Sequence, residues 1–87
     1  MSTRLYVSNL PLSATEGMLF SRFCKFGNVL SVTLESDQKA SRRGAFVEMV
    51  TSAAAQQAIA GLNLSDFDGR LVSVYLALSS VPGKKLS

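Results

Sequence analysis

Eighty-seven residues, 47% of them hydrophobic, are enough for one domain with a core of its own and too apolar for a disordered chain. No stretch of eighteen apolar residues is present to span a bilayer, and the first residues lack the charged-then-apolar pattern of a secretion signal. The single cysteine, Cys24, and the absence of histidine exclude an internal disulfide, the common zinc sites and imidazole acid–base catalysis. These features predict a protein without metal or cofactor, intracellular (cytoplasm or nucleus) and not secreted. The net charge is +3, but Lys84 and Lys85 sit in the terminal segment, so the body of the chain is close to neutral.

The stretch Arg4 to Leu10 alternates, with Leu5 and Val7 on one side and Arg4, Tyr6 and Ser8 on the other. That is the period of a strand with one buried face. Pro11 stops it, having no N–H for a ladder. Ser13 or Thr15 can cap a helix with Glu16 in its first turn and an apolar stripe of Leu19, Phe23 and Phe26. Gly27 ends it. Val29 to Glu35 reads as a second strand, with Val32 and Leu34 inward and Ser31, Thr33 and Glu35 outward. Residues 36–43 are polar and aperiodic, a loop that crowds Lys39, Arg42 and Arg43 together. In the third strand, Gly44 to Val50, the residues Ala45, Val47 and Met49 share one face, and Gly44, Phe46 and Glu48 the other. Ser52 is placed to cap a second helix with a buried stripe of Ala55, Ala58, Ile59 and Leu62. Phe67, Gly69 and Arg70 lead into a fourth strand, Leu71 to Leu78, with Val72, Val74 and Leu76 on one side. Leu71, Ser73, Tyr75 and Ala77 take the other.

Strand, helix, strand, strand, helix, strand is the order of an α+β fold. Each helix supplies only one apolar stripe, and right-handed crossovers put both on the same side. The expectation is the ferredoxin-like split βαβ (βαββαβ) arrangement: a four-stranded antiparallel sheet with two helices on one face. The domain is expected over residues 4–79, followed by a basic flexible tail over 80–87. Alternation then turns Tyr6 and Phe46 onto the uncovered face of the two central strands, with Tyr75 on the fourth. Exposed rings cost solubility. They either shield the sheet, or pack under the C-terminal tail, or stack unpaired bases of single-stranded RNA.

Two segments carry a family resemblance. Leu5-Tyr6-Val7-Ser8-Asn9-Leu10 resembles the hexapeptide ribonucleoprotein motif of RNA-recognition-motif proteins, and Arg42 to Met49 (Arg-Arg-Gly-Ala-Phe-Val-Glu-Met) resembles their octapeptide motif. Phe23 to Gly27 and Gly69-Arg70 also fit, so the likeness covers about residues 4 to 79. It implies that Tyr6 and Phe46 are the central stacking residues and that Arg42 meets phosphate. Three positions depart from the pattern. Gly44 stands where a third outward ring is usual, Arg43 where glycine is usual, and Met49 where a core phenylalanine is usual.

The mechanism expected from these residues has three parts. Tyr6 and Phe46, with Tyr75 beside them, stack bases; Arg4, Lys39, Arg42 and Arg43 neutralise phosphates. Backbone groups and the outward polar side chains of the fourth strand and the tail read base edges, and Ser8 on the first strand is counted among the RNA-binding residues. Glu48 and Glu35 would repel phosphate, and either accept hydrogen bonds from base amino groups or remain solvated carboxylates. The expected partner is single-stranded RNA, with single-stranded DNA left open. A protein-binding module is the alternative, with a partner or homodimer seated through Met18 and Phe20 on the first helix. Those two could equally widen the buried stripe. Acylphosphatases share the strand order, but Asn9-Leu10-Pro11-Leu12 stands where their arginine-bearing glycine loop would be, so no enzyme is expected.

Overall fold

Period-two alternation in four segments and two amphipathic stretches dictate a sheet backed by helices. A computed structural model, which describes residues 3–37 and 42–77, has that architecture. Its elements are β1 (Arg4–Leu10), α1 (Glu16–Phe23), a single 3-10 turn (Cys24–Phe26), β2 (Val29–Asp37), β3 (Arg42–Met49), α2 (Ser52–Leu62), β4 (Ser65–Phe67) and β5 (Arg70–Leu76). The sheet order is β2-β3-β1-β5-β4 and every pairing is antiparallel. The sheet therefore has five strands, not four. Phe67 pairs with Arg70, leaving Asp68 (φ 56°) and Gly69 (φ 92°) as a two-residue turn. Positive φ at both central positions is the twist-matched hairpin turn that Asp-Gly favours.

The core lies between sheet and helices. Leu5 and Val7 of β1, Val47 of β3 and Val74 of β5 are buried against Leu19 and Phe23 of α1. On α2 the contact is made by Ala54, Ala55 and Ala58, whose small side chains let the helix approach closely. Gly27 (φ 152°) is required there, because a Cβ at that position would collide with the Cβ of Ala54. Thr15 caps α1, its hydroxyl accepting from the Met18 N–H at 3.2 Å. Ser13 instead donates to Asp68 Oδ2 at 3.3 Å. The cap of α2 is Thr51, which accepts from the Ala54 N–H at 3.1 Å, one residue before the expected Ser52. The β2–β3 hairpin extends to an Asp37–Arg42 pair, so the expected loop is shorter by several residues. Residues 78–87, the proposed tail among them, lie outside the described residues.

Two departures from simple alternation shape the sheet ends. The register of β1 shifts between Val7 and Leu10, with Asn9 at φ 68°. One extra residue changes the phase, so Leu10 turns inward and Asn9 does not. At the end of β5, Leu76 is 38% exposed and Ala77 is buried, the reverse of expectation. The strand stops at Leu76, and the Ala77 N–H donates to the Arg4 carbonyl at 2.8 Å.

Candidate nucleic-acid interface

Both helices pack on one side of the sheet, so the other side is formed by the outward residues of β2, β3, β1 and β5. The register places Tyr6 opposite Phe46 on one flank and opposite Tyr75 on the other, with Thr33 opposite Phe46. One row across the strands thus reads Thr33, Phe46, Tyr6, Tyr75. The Tyr6 and Phe46 rings meet edge-to-face at 4.9 Å between centroids and 62°. Tyr6 and Tyr75 are 5.7 Å apart and tilted by 51°. These spacings are those of favourable aromatic pairs. The three rings hold one another in place while each keeps part of its surface toward solvent.

In the adjoining row Arg4 lies opposite Glu48. The Arg4 guanidinium carbon sits 4.5 Å from the Phe46 centroid, a cation–π contact. Glu48 accepts from the Thr3 hydroxyl at 3.2 Å. On the far side of the ring row Ser8 faces Ser73.

Tyr6 reaches diagonally across β3. A Cβ on Gly44 would collide with the Tyr6 hydroxyl, so the ring occupies the place where a side chain at 44 would stand, and Gly44 is buried beneath it. The phenol then reaches β2, where it donates a hydrogen bond to Glu35, the residue opposite Gly44. Burial, and after it the neighbouring Glu35 carboxylate, push the Tyr6 phenol above its ordinary value. It stays a donor throughout the physiological range.

Not every expected residue joins this face. Arg43 shares the inward phase of Ala45 and Val47, and its guanidinium donates to the Ala14 carbonyl at 3.0 Å with Nε buried and unpartnered. It ties the start of β3 to the segment before α1, on the inward side of the strand and away from the ring row. Lys39 and the side chain of Arg42 lie outside the described residues. On α1, Met18 packs against the core while Phe20 is 48% exposed. The expected two-residue docking patch is therefore a single ring. Arg22 is engaged as well, its guanidinium carbon 4.1 Å from the Phe67 centroid and its Nη1 donating to the Asp66 carbonyl at 3.2 Å.

Sequence reasoning missed the Tyr6–Glu35 bond and the clasp at the bulge. There Asn9 Nδ2 donates to the Leu71 carbonyl at 2.8 Å, and Arg70 donates to Asn9 Oδ1 at 2.8 Å. The available signal was the pairing of an asparagine at a strand end with an arginine after an Asp-Gly turn.

The family model for the RNA recognition motif matches residues 5–73. A glycine-rich RNA-binding protein of Mycosarcoma maydis is 35% identical over 95% of this chain and 49% of its own length. Among solved structures, the first two such domains of a yeast poly(U) binding protein share 29% identity with a TM-score of 0.82, covering 86% of this chain and 46% of that one. The Sxl-lethal protein in complex with RNA shares 35% identity with a TM-score of 0.75, covering 86% and 47%. The chain spans about a third to a half of the length of the curated relatives it first matches.

Proposed function

This chain belongs to the RNA recognition motif family, and from that premise we propose that its open sheet face binds single-stranded RNA by stacking bases on Tyr6, Phe46 and Tyr75. The family is one of RNA-binding proteins and not of enzymes. A glycine-rich RNA-binding relative and a structural neighbour in complex with RNA support the RNA assignment. The observation that carries the reading is the unbroken row of three rings on the face the helices leave uncovered.

Arg4, in contact with the Phe46 ring, meets a phosphate of the bound strand; Arg42 and Lys39 complete the set from the start of β3 and the chain just before it. Ser8 and Ser73 lie along the route of the strand, and Glu48, already accepting from Thr3, is a secondary acceptor beyond Phe46. Each stack contributes roughly 1–3 kcal/mol, so two rings together outweigh any single phosphate contact. The protein acts where RNA is, inside the cell.

Titration of the Tyr6→Ala/Phe46→Ala double variant with short RNA oligomers tests this. Affinity should fall at least about thirtyfold, the low end for two lost stacks, while the cooperative unfolding transition persists. Parental affinity in a folded double variant removes the face from the interface.

A further inference from the structure

We propose that Glu35 reads the base stacked on Tyr6 and selects one presenting an exocyclic amino group over uracil. This deepens the RNA-binding reading above and rests on it.

The geometry begins at Gly44. With no side chain there, the Tyr6 ring lies across β3 instead of standing over its own strand, and its hydroxyl arrives at Glu35. The carboxylate is thus fixed at the outer rim of one stacking surface. A base lying on Tyr6 projects an edge over the hydroxyl end of the ring, which is where Glu35 waits. Glu35 is exposed on β2 among the described residues, so its carboxylate is open to a ligand there.

The chemistry follows from acceptor counting. A carboxylate has about four lone-pair sites and donates nothing; the Tyr6 hydroxyl uses one. Cytosine and adenine each present an amino group that can donate to the sites that remain. Guanine offers an amino group beside an imino N–H. Uracil offers one N–H flanked by two carbonyl oxygens, and these face a carboxylate with repulsion. The raised phenol keeps its proton, so it goes on donating to Glu35 and holds the carboxylate at the rim of the ring.

Glu48 is less suited to the same task. It already accepts from Thr3, and its cross-strand neighbour is Arg4, whose charge offsets its own. The cross-strand neighbour of Glu35 is Gly44, which offers no charge and no donor side chain.

The test compares eight-nucleotide oligo-C and oligo-U at neutral pH by fluorescence anisotropy. The two pyrimidines are alike in size and in weak self-stacking, and differ at positions 3 and 4 of the ring. The parent should prefer oligo-C by at least about fivefold, the low end for one base-edge contact. In Glu35→Gln the amide can donate as well as accept, and the preference should fall close to parity with the unfolding midpoint unchanged. Tyr6→Phe keeps the ring but removes the bond that fixes the carboxylate at its rim, so the preference should narrow there too. Equal or tighter binding of oligo-U by the parent overturns the proposal, as does a preference that survives in both variants. Failure of the parent to bind any oligomer, oligo-A included, is a different result: it overturns the RNA-binding reading itself.

Discussion

Gly44 lies on the open face two residues before Phe46, where alternation leaves room for another ring. Strand period alone makes Gly44→Phe a gain of stacking surface. The structure reverses that expectation, because the Tyr6 ring already fills the space. Two rings would compete for one place, so Gly44→Phe should add no stack and leave oligomer affinity unimproved; a tenfold gain would show that both rings fit. Gly44→Ala separates the effects more finely. Alanine in place of glycine favours an ordered backbone by roughly 0.5–1 kcal/mol, and loss of the Tyr6–Glu35 bond costs about 1 kcal/mol. The two nearly cancel, so the unfolding midpoint should barely move while the phenol titrates closer to its ordinary value. In the parent that phenol is raised, by burial first and by Glu35 second. The unfolded chain ionises at about pH 10 before the folded one does. The stability contributed by Tyr6 is therefore intact below that pH and is lost as pH climbs through the raised value. Ultraviolet titration at alkaline pH should show part of the shift gone in Glu35→Gln, and all of it retained would remove Glu35 as a cause. The face of each ring was legible from period two. The direction in which a ring leans was not, since it depends on what the next strand lacks.

At the scale of elements, the strands and helices were legible wherever periodicity ran for seven residues or more, and their ends were not. Thr51 and Ser52 are both competent caps standing side by side, and which one is used depends on where the chain turns after β3. β4 has only three residues, too few to show a period, yet its turn was readable: Asp68-Gly69 between Phe67 and Arg70 is a hairpin signal in its own right. Arg43 was misplaced because the hairpin is longer than its polar composition suggests, and extending β3 back to Arg42 gives Arg43 the inward phase. A consequence separates Arg43 from the interface. Arg43→Ala deletes a hydrogen bond to Ala14 that joins β3 to the start of α1, and should cost about 1 kcal/mol of stability. The same change should leave the salt dependence of RNA binding as it was. Chemical denaturation and a salt series on one preparation measure both, and a flattened salt dependence would return Arg43 to phosphate. Thr15→Ala should also cost about 1 kcal/mol, as an N-cap loss, with no effect on the oligomer titration.

The molecule as a whole measures 35 × 32 × 19 Å, the thin dimension being one sheet plus one helix layer, and its charge is distributed unevenly between the layers. The formal excess of +3 suggests a basic surface for RNA, but much of it is engaged elsewhere. Arg22 lies on Phe67, Arg43 holds Ala14 and Arg70 holds Asn9. Among the described residues the ring face carries Arg4 with Glu35 and Glu48, which is no net attraction for a polyanion. The rings must then supply most of the affinity. Arg4, Arg42 and Lys39 together give at most three phosphate contacts, and single strands lose about 0.7 in slope for each. A plot of log affinity against log salt should therefore fall with a slope of about 2. Six or more contacts, the pattern of a charge-driven binder, would give about 4 or steeper. The same reasoning orders the variants at high salt: Arg4→Ala should lose its effect as ions screen the phosphates, whereas the loss in Tyr6→Ala/Phe46→Ala should persist because stacking is not screened. A salt series on the parent and these two variants reads all three slopes. If the double variant's deficit vanished at high salt, the rings would be serving the charges, and the face would bind RNA by electrostatics after all.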